Sequence, residues 1–191
     1  MEQIAFKDPE KFLAGLRWVE ENLPLHELPD KVRNLRTRSL RPILEMRQAA
    51  LFSYGMSIAM GTKVVFALKE EADYDALCSF ERQGERVFAP VQLKELVPER
   101  LNPESTLQRE LDKLQKYSDS KELIVAYHLN RRFKFDVNKI SPPQGVVAEI
   151  WIVAATTPDL NQWSLIGNIL SDDCYTYKFE YPNAQNPNEL V

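Results

Sequence analysis

Two half-apolar runs on either side of Gln83-Gly84 constrain the fold of this chain more than any other stretch. Tyr74 to Phe80 and Val87 to Leu93 each alternate apolar and polar residues, the pattern of a strand with one buried face. Glycine after glutamine suits a two-residue type I′ turn, because both turn residues need positive φ. The sequence therefore predicts a β-hairpin with its turn at these two residues.

The hairpin register would bring polar side chains together on one face. Asp75 would lie directly opposite Gln92, and Asp73 directly opposite Lys94. Opposed side chains have Cβ atoms about 4.5–5.5 Å apart, close enough to share an ion or a phosphate. A hairpin with one solvated face explains the same charges without a ligand. Pro90 predicts an edge position or a bulge, and a bulge would break this pairing.

The composition is that of an ordinary globular protein. Of 191 residues, 44% are hydrophobic and 27% are charged. No apolar run approaches the roughly 18 residues needed to span a bilayer, and the first residues lack the layout of a signal peptide. We therefore expect no membrane association and a cytoplasmic location. Two cysteines and two histidines without short spacing predict neither a disulfide framework nor a Cys/His metal cluster.

Positive charge is concentrated in one stretch, although the net charge is −4. Positions 31 to 47 hold Lys31, Arg33, Arg36, Arg38, Arg41 and Arg47. A chain that is acidic overall and gathers its arginines in one place has a local field suited to phosphate. A solvated helix face would explain the same run without a ligand. Arg131 and Arg132 form a second, smaller basic pair.

Apolar spacing predicts three helices. Asp8 as N-cap and Pro9 in the first turn predict a helix to Asn22. From Ser39 as N-cap to Gly61, apolar residues on nearly every side predict a buried helix, in which Glu45 needs a salt bridge, a hydrogen bond or a cation. A capping box at 105–108 predicts a third helix, whose apolar stripe is Leu107, Leu111, Leu114 and Tyr117.

Further strands are predicted on both sides of the third helix. They cover Lys63 to Leu68, Lys121 to Leu129, Val146 to Ala155, and Tyr175 to Tyr181. The run from Lys121 follows a helix and is apolar enough to be buried on both faces, so it would pair parallel with a hairpin strand. The segment from Pro158 to Leu170 fits either a helix or a strand that begins at Trp163.

This order of elements resembles the restriction-endonuclease-like fold of the PD-(D/E)xK nuclease superfamily, over roughly 39 to 129. The family carries a helix carboxylate, an aspartate at the head of the second strand and an acidic-x-Lys signature on the third. By position these fall on Glu45, on Asp75 with Asp73 as its rival, and on Gln92-Leu93-Lys94. Glutamine stands where the family usually has an acidic residue.

The resemblance implies an α/β fold with a mixed central sheet flanked by helices. It divides the chain into an N-terminal helix and basic linker (1–38), a nuclease domain (39–182) and a C-terminal tail (183–191). It also implies a nuclease that uses Mg²⁺ or Mn²⁺ and acts on DNA. A homodimer is open, since small nuclease domains often cut two strands as dimers.

The resemblance assigns a role to each site residue. The catalytic set would be Glu45, Asp75, Gln92 and Lys94, with Asp75, Gln92, Glu45 and Asp73 as candidate metal ligands and with Arg33, Arg36, Arg38, Arg41, Arg131 and Arg132 on the nucleic acid. Because Gln92 supplies no charge, Mg²⁺ would bind more weakly than at a site with another carboxylate. Two alternatives stay open: a catalytically decayed module that binds nucleic acid or assembles with proteins, and an interaction protein whose hairpin charges are merely solvated.

Overall fold

The computed structural model describes residues 4–69, 71, 73–117, 120–131, 136 and 139–190. A seven-stranded sheet lies at its centre, with the strands side by side in chain order. They are β1 Val65–Leu68, β2 Ala76–Arg82, β3 Glu85–Leu96, β4 Ser120–Leu129, β5 Val147–Ala155, β6 Gln162–Gly167 and β7 Tyr175–Glu180. β4 runs parallel to β3 and β5, and the other neighbours are antiparallel. The predicted α/β class with a mixed sheet is confirmed.

The hairpin of β2 and β3 has the predicted turn and register. Gln83 and Gly84 both have positive φ, at 54° and 81°. Pairing runs without a shift from Ala76 opposite Val91 to Arg82 opposite Glu85. β4 pairs with β3 only from Val91 onward, so Pro90 lies just before the part of the strand that is paired on both sides. The edge position is therefore correct and the bulge does not occur.

In the part of the chain that the structure describes, the α-helices are α1 Pro9–Asn22, α2 Asp30–Arg33, α3 Arg41–Met60 and α4 Leu107–Asp112. Asp8 caps α1 as predicted, since its carboxylate accepts the amides of Glu10 and Lys11. The prediction that Ser39 caps α3 is wrong. Leu40 is the N-cap residue, and the hydroxyl of Ser39 lies 3.3 Å from that of Thr37 instead. Gly61 ends α3 in the left-handed region, at φ 64°.

The sheet separates two hydrophobic cores. The first core packs α1 and α3 against one face and includes Leu13, Phe52, Val91, Leu93 and Trp163. The second core packs α4 against the other face and includes Leu96, Leu111, Leu114, Val125 and Tyr127. Because strand residues alternate between faces, Gln92 and Lys94 share the α4 face with Leu96. The helices α3 and α4 therefore cover opposite faces at the hairpin.

The segment whose pattern fitted either structure is a strand. β6 pairs with β5 on one side and with β7 on the other, and Trp163, Ser164 and Leu165 are buried in it. Pairing with β5 and β7 satisfies the backbone N–H and C=O groups of β6. The residues of the segment alone do not show that two partner strands are present. Among the described residues, no helix has the length and apolar content to cross a membrane.

Candidate functional site

Asp75 and Gln92 are joined side chain to side chain. Asp75 directly precedes β2, and Gln92 lies in β3, only 8% exposed. The Gln92 amide Nε2 donates to Asp75 Oδ2, which also accepts the backbone N–H of Leu93 at 2.8 Å. The hairpin register predicted this meeting. The direction of the bond was not predicted. The side-chain N–H of Gln92 donates to Asp75, and the Gln92 carbonyl oxygen faces Tyr117 instead.

Tyr117 holds the other end of the Gln92 side chain. Its hydroxyl donates to Gln92 Oε1 at 3.0 Å, and the residue is 8% exposed. An amide oxygen has two lone pairs, so one acceptor direction is still available. Sequence reasoning placed Tyr117 only in the apolar stripe of a helix. A buried tyrosine hydroxyl needs a polar partner, and that requirement was the signal that could have found it.

Lys94 lies on the same face as Gln92, two residues along β3. Its Nζ is 5.8 Å from the centroid of the Tyr117 ring, and Tyr127 of β4 is its neighbour in the parallel register. The Tyr127 hydroxyl donates to the backbone carbonyl of Glu110 at 2.6 Å. Lys94 therefore lies beside Tyr117 and Tyr127, and the hydrogen bond from Tyr127 to Glu110 places α4 on the same side of the sheet.

Glu110 of α4 is the carboxylate that the structure brings toward Lys94. Burial opposes its ionisation, but hydrogen bonds from Lys113 (2.7 Å) and Ser105 (2.5 Å) and the charges of Lys113 and Lys94 lower its pKa below the ordinary value. Burial and this negative charge raise the pKa of Tyr127. Sequence reasoning did not single out Glu110, because its spacing within α4 is that of an ordinary solvated helix residue.

Glu45 is not brought to this site. It lies on α3, which packs against the first core, on the opposite face of the sheet from Gln92 and Lys94. Its carboxylate accepts Arg41 Nε at 2.9 Å and is 34% exposed. The salt bridge within the helix satisfies it without a metal ion.

Asp73 is not paired with Lys94. β2 begins only at Ala76, so the ladder does not reach Asp73. It lines a surface cavity of about 410 Å³ at the end of the hairpin, together with Tyr74, Pro90, Ser120, Lys121, Glu122 and Leu123. Of the four candidate metal ligands, the structure therefore joins only Asp75 and Gln92.

The donors around Asp75 fit a magnesium ion that is only partly held by protein. Within the part of the chain that the structure describes, no group of three or more His, Cys, Asp or Glu side chains is arranged to hold a metal ion. Mg²⁺ is commonly bound through one or two carboxylates, with waters and substrate phosphates completing its six ligands. Asp75 alone meets the lower end of that requirement with one carboxylate, because Gln92 presents its N–H and not its carbonyl oxygen to Asp75.

Most of the arginines expected to hold nucleic acid have protein partners. Arg33 pairs with Asp30, Arg36 with Glu95, and Arg41 with Glu45. Arg38 is exposed, and among the described residues it has no hydrogen bond or ion pair. Arg132 lies outside the described residues.

Arg131 acts as a clamp on the loop between β3 and α4. Its Nε donates to Val97 O at 2.8 Å, Nη1 to Ser105 O at 2.8 Å and Nη2 to Asn102 O at 2.9 Å. With its three nitrogens all engaged, the guanidinium holds together the loop that positions α4. The structure thus gives this predicted phosphate ligand a structural role.

Comparisons with known proteins find no match to a family model, to a curated protein or to a solved structure. The resemblance to the PD-(D/E)xK superfamily therefore stays a prediction. It is based on the order α3, β1, β2, β3, α4, β4 and on Glu45, Asp75 with Asp73 as its rival, Gln92 and Lys94, of which the structure joins Asp75 with Gln92 on the face that carries Lys94.

Proposed function

We propose that this protein is a Mg²⁺-dependent nuclease that hydrolyses phosphodiester bonds in DNA in the cytoplasm. The observation that supports it is the contact of Asp75 with Gln92 on the face that carries Lys94. An acidic group, an amide oxygen and an ammonium at the head of one hairpin are the groups that metal-assisted phosphate hydrolysis needs.

The residues would divide the reaction between them. Asp75 would hold Mg²⁺ through its carboxylate, and the ion would supply Lewis acidity to a phosphate oxygen. The Gln92 carbonyl faces Tyr117 and would join the ion only after the amide turns away from Asp75. The Lys94 ammonium would stabilise the charge that builds up on the phosphate and orient the attacking water. Tyr117 would keep the Gln92 amide N–H turned toward Asp75 through its hydrogen bond to the Gln92 carbonyl. The negative charge of Glu110 on α4 would attract the Lys94 ammonium and favour its position near the site.

A second candidate is a catalytically inactive module of the same fold that binds nucleic acid or assembles with proteins. The observation that favours it is that Gln92 is neutral and hydrogen-bonded at both ends, while Glu45 lies on the other face of the sheet. A metal held by one carboxylate binds weakly, so loss of turnover would leave a folded hairpin intact.

Cleavage and binding assays with Lys94→Ala distinguish the candidates. Plasmid, single-stranded and branched DNA are incubated with the protein and Mg²⁺ or Mn²⁺, and Lys178→Ala, an exposed lysine on β7 of the same sheet, is the control. Cleavage that disappears only in Lys94→Ala supports the nuclease. Binding without cleavage supports the second candidate. Neither cleavage nor binding contradicts both.

A further inference from the structure

Three aromatic rings form a row on the α3 face of the sheet. The His128 and Trp163 ring centroids are 5.3 Å apart, and those of Trp163 and Tyr181 are 6.4 Å apart. His128 lies near the end of β4, Trp163 near the start of β6, and Tyr181 directly after β7. Since β6 is antiparallel to β5, all three lie at the carboxyl edge of the parallel strands. Ligands of open α/β sheets bind at this edge.

Arginines from three segments gather at this row. The Arg17 guanidinium lies 4.3 Å from the centroid of the Tyr181 ring, and that of Arg47 lies 5.7 Å from the same centroid. Arg36 and Arg47 are both largely buried, each with 18% of its side chain exposed. Burial, with the charges of Arg47 and Arg36, lowers the pKa of His128 to about 3. The sequence placed Arg36 and Arg47 in the basic stretch suited to phosphate, and it did not single out Arg17.

The carboxylates at this row do not balance the arginines. Glu20 accepts Arg47 at 3.2 Å, and Glu95 accepts Arg36 and, at 2.9 Å, the amide of Asn130. No carboxylate of the described residues lies within ion-pair distance of Arg17. The cluster therefore has one guanidinium more than its carboxylates.

Two buried polar atoms of the row also lack partners. Among the described residues, His128 Nδ1 has no hydrogen-bond partner, and the Tyr181 hydroxyl, in a residue that is 3% exposed, has no acceptor for its proton and only the Arg47 guanidinium as a donor beside it. Arg47 beside the hydroxyl can only donate, so the tyrosine O–H lacks an acceptor. An excess guanidinium favours an anion, and the unpaired O–H can donate to an oxygen of that anion.

We propose that Arg17, Arg47 and Tyr181 bind a phosphate group, supplied either by free phosphate or by the terminal phosphate of a nucleic-acid strand. Guanidinium groups match phosphate oxygens in pairs of parallel hydrogen bonds, and the tyrosine O–H supplies one further donor. This site lies on the opposite face of the sheet from Lys94 and does not depend on the nuclease proposal.

Histidine NMR tests the site directly, because the chain has only two histidines. Inorganic phosphate is titrated into the protein in EDTA at constant ionic strength. We expect the ring resonances of His128 to move and saturate, because the charge of Arg47 acts on His128 and Trp163 packs between His128 and Tyr181. The resonances of His26, whose side chain is 80% exposed, should stay in place. Chloride in place of phosphate should move neither.

Two variants connect this response to the proposed ligands. Tyr181→Phe removes only the hydroxyl, and Arg17→Gln removes the guanidinium without a carboxylate partner. Each should weaken phosphate binding about tenfold, the effect of one hydrogen bond to a charged group. Arg33→Gln, an exposed arginine paired with Asp30 in α2, is the matched control and should bind as the wild type does. Circular dichroism confirms that each variant is folded.

Oligonucleotides separate the two sources of phosphate. Strands of one sequence with a 5′-phosphate or a 5′-hydroxyl are compared in EDTA. Tighter binding of the phosphorylated strand, lost in Tyr181→Phe, identifies a strand end as the ligand, whereas equal binding with a saturable response to inorganic phosphate identifies the free anion. No saturable movement of His128 with any of these probes, or equal responses in the wild type and both variants, would overturn the proposal.

Discussion

The side-chain amide of Gln92 donates to the same Asp75 oxygen that accepts the backbone N–H of Leu93. A carboxylate at position 92 could not make this bond, because an ionised carboxylate only accepts. Glutamine therefore lets the two side chains touch without like-charge repulsion. The residue that departs from the acidic-x-Lys signature is thus also the one that holds the head of the hairpin together.

Gln92→Glu should make stability depend on a divalent cation. Two adjacent carboxylates lose the hydrogen bond and repel each other, so in EDTA the free energy of unfolding should fall by about 1–3 kcal/mol. Under the proposed function, Mg²⁺ should restore the loss and stabilise the variant more than the wild type, since a second carboxylate strengthens the site. Urea unfolding of the variant and the wild type, in EDTA and in saturating Mg²⁺, measures the loss of stability and its recovery.

The control for this experiment is Gln115→Glu. Gln115 is exposed in the turn after α4, so its replacement should change neither quantity. If Mg²⁺ stabilised Gln92→Glu no more than Gln115→Glu, the Asp75 site would not be a metal site.

Tyr117→Phe should lower the free energy of unfolding by about 1 kcal/mol. The change leaves Gln92 Oε1 without its donor in a place where water has little access, while the ring still packs against Lys94 and Lys116. Thermal or urea unfolding measures the loss. Tyr175→Phe, an exposed position on β7, should have no effect. Equal stability of the two variants would show that the hydroxyl does not support Gln92.

The hairpin shows what the sequence could determine about the fold. Alternation and the Gln83-Gly84 turn fix which residues pair, because a shift of one residue would expose the buried face. Asp75 and Gln92 meet for that reason. Local pattern also marked the parallel strand β4, since its apolar run follows a helix and needs a crossover connection.

The site could be predicted only where it depends on one hairpin. Whether Glu45 reaches Lys94 depends on which face of the sheet α3 covers, and periodicity within α3 carries no information about that. Tyr117 and Glu110 reach the site because α4 packs across β3 and β4, which is a tertiary relationship. The partners of Arg131 are backbone carbonyls, and the pattern of side chains in a sequence does not predict such contacts.

Acid should destabilise the protein through His128. Burial and the charges of Arg47 and Arg36 lower its pKa from 6.5 to about 3. The unfolded chain takes up a proton below pH 6.5 and the folded one does not, so stability falls as the pH drops from about 6.5 toward 3. The loss is at most about 1.4 kcal/mol per pH unit.

Urea unfolding of His128→Phe isolates this effect. Phenylalanine keeps a ring against Trp163 but cannot take up a proton, so the variant should lose less stability than the wild type between about pH 7 and about pH 5. His26→Gln should behave as the wild type does, because the His26 side chain is exposed. Identical losses in the wild type and His128→Phe would contradict the assignment.

The two cysteines should differ in reactivity. Burial raises the pKa of Cys78 to about 11 and leaves its thiol 3% exposed, beside the Ser53 hydroxyl at 3.3 Å. Cys174 is half-buried, and its pKa is raised by burial alone. A thiol reagent should therefore modify one cysteine in the native protein, and the second only on unfolding. Cys174→Ser should remove the native reaction, and a rapid native reaction that persisted in this variant would show that Cys78 is accessible.

Arg131 and Arg38 should separate stability from nucleic-acid binding. Arg131→Gln removes three hydrogen bonds to the loop carbonyls and should lower the free energy of unfolding by about 2 kcal/mol or more. Arg38→Gln, at an exposed site, should change it by less than about 0.5 kcal/mol.

If the protein binds DNA as proposed, each phosphate contact contributes about one to the slope of log affinity against log salt concentration. Arg38→Gln should reduce that slope. Arg131→Gln, measured where it is fully folded, should keep the slope, because three of the five N–H donors of Arg131 already hold loop carbonyls. The reverse result, an unchanged stability with a reduced slope for Arg131→Gln, would mean that the loop is held by other contacts and that Arg131 turns outward to DNA.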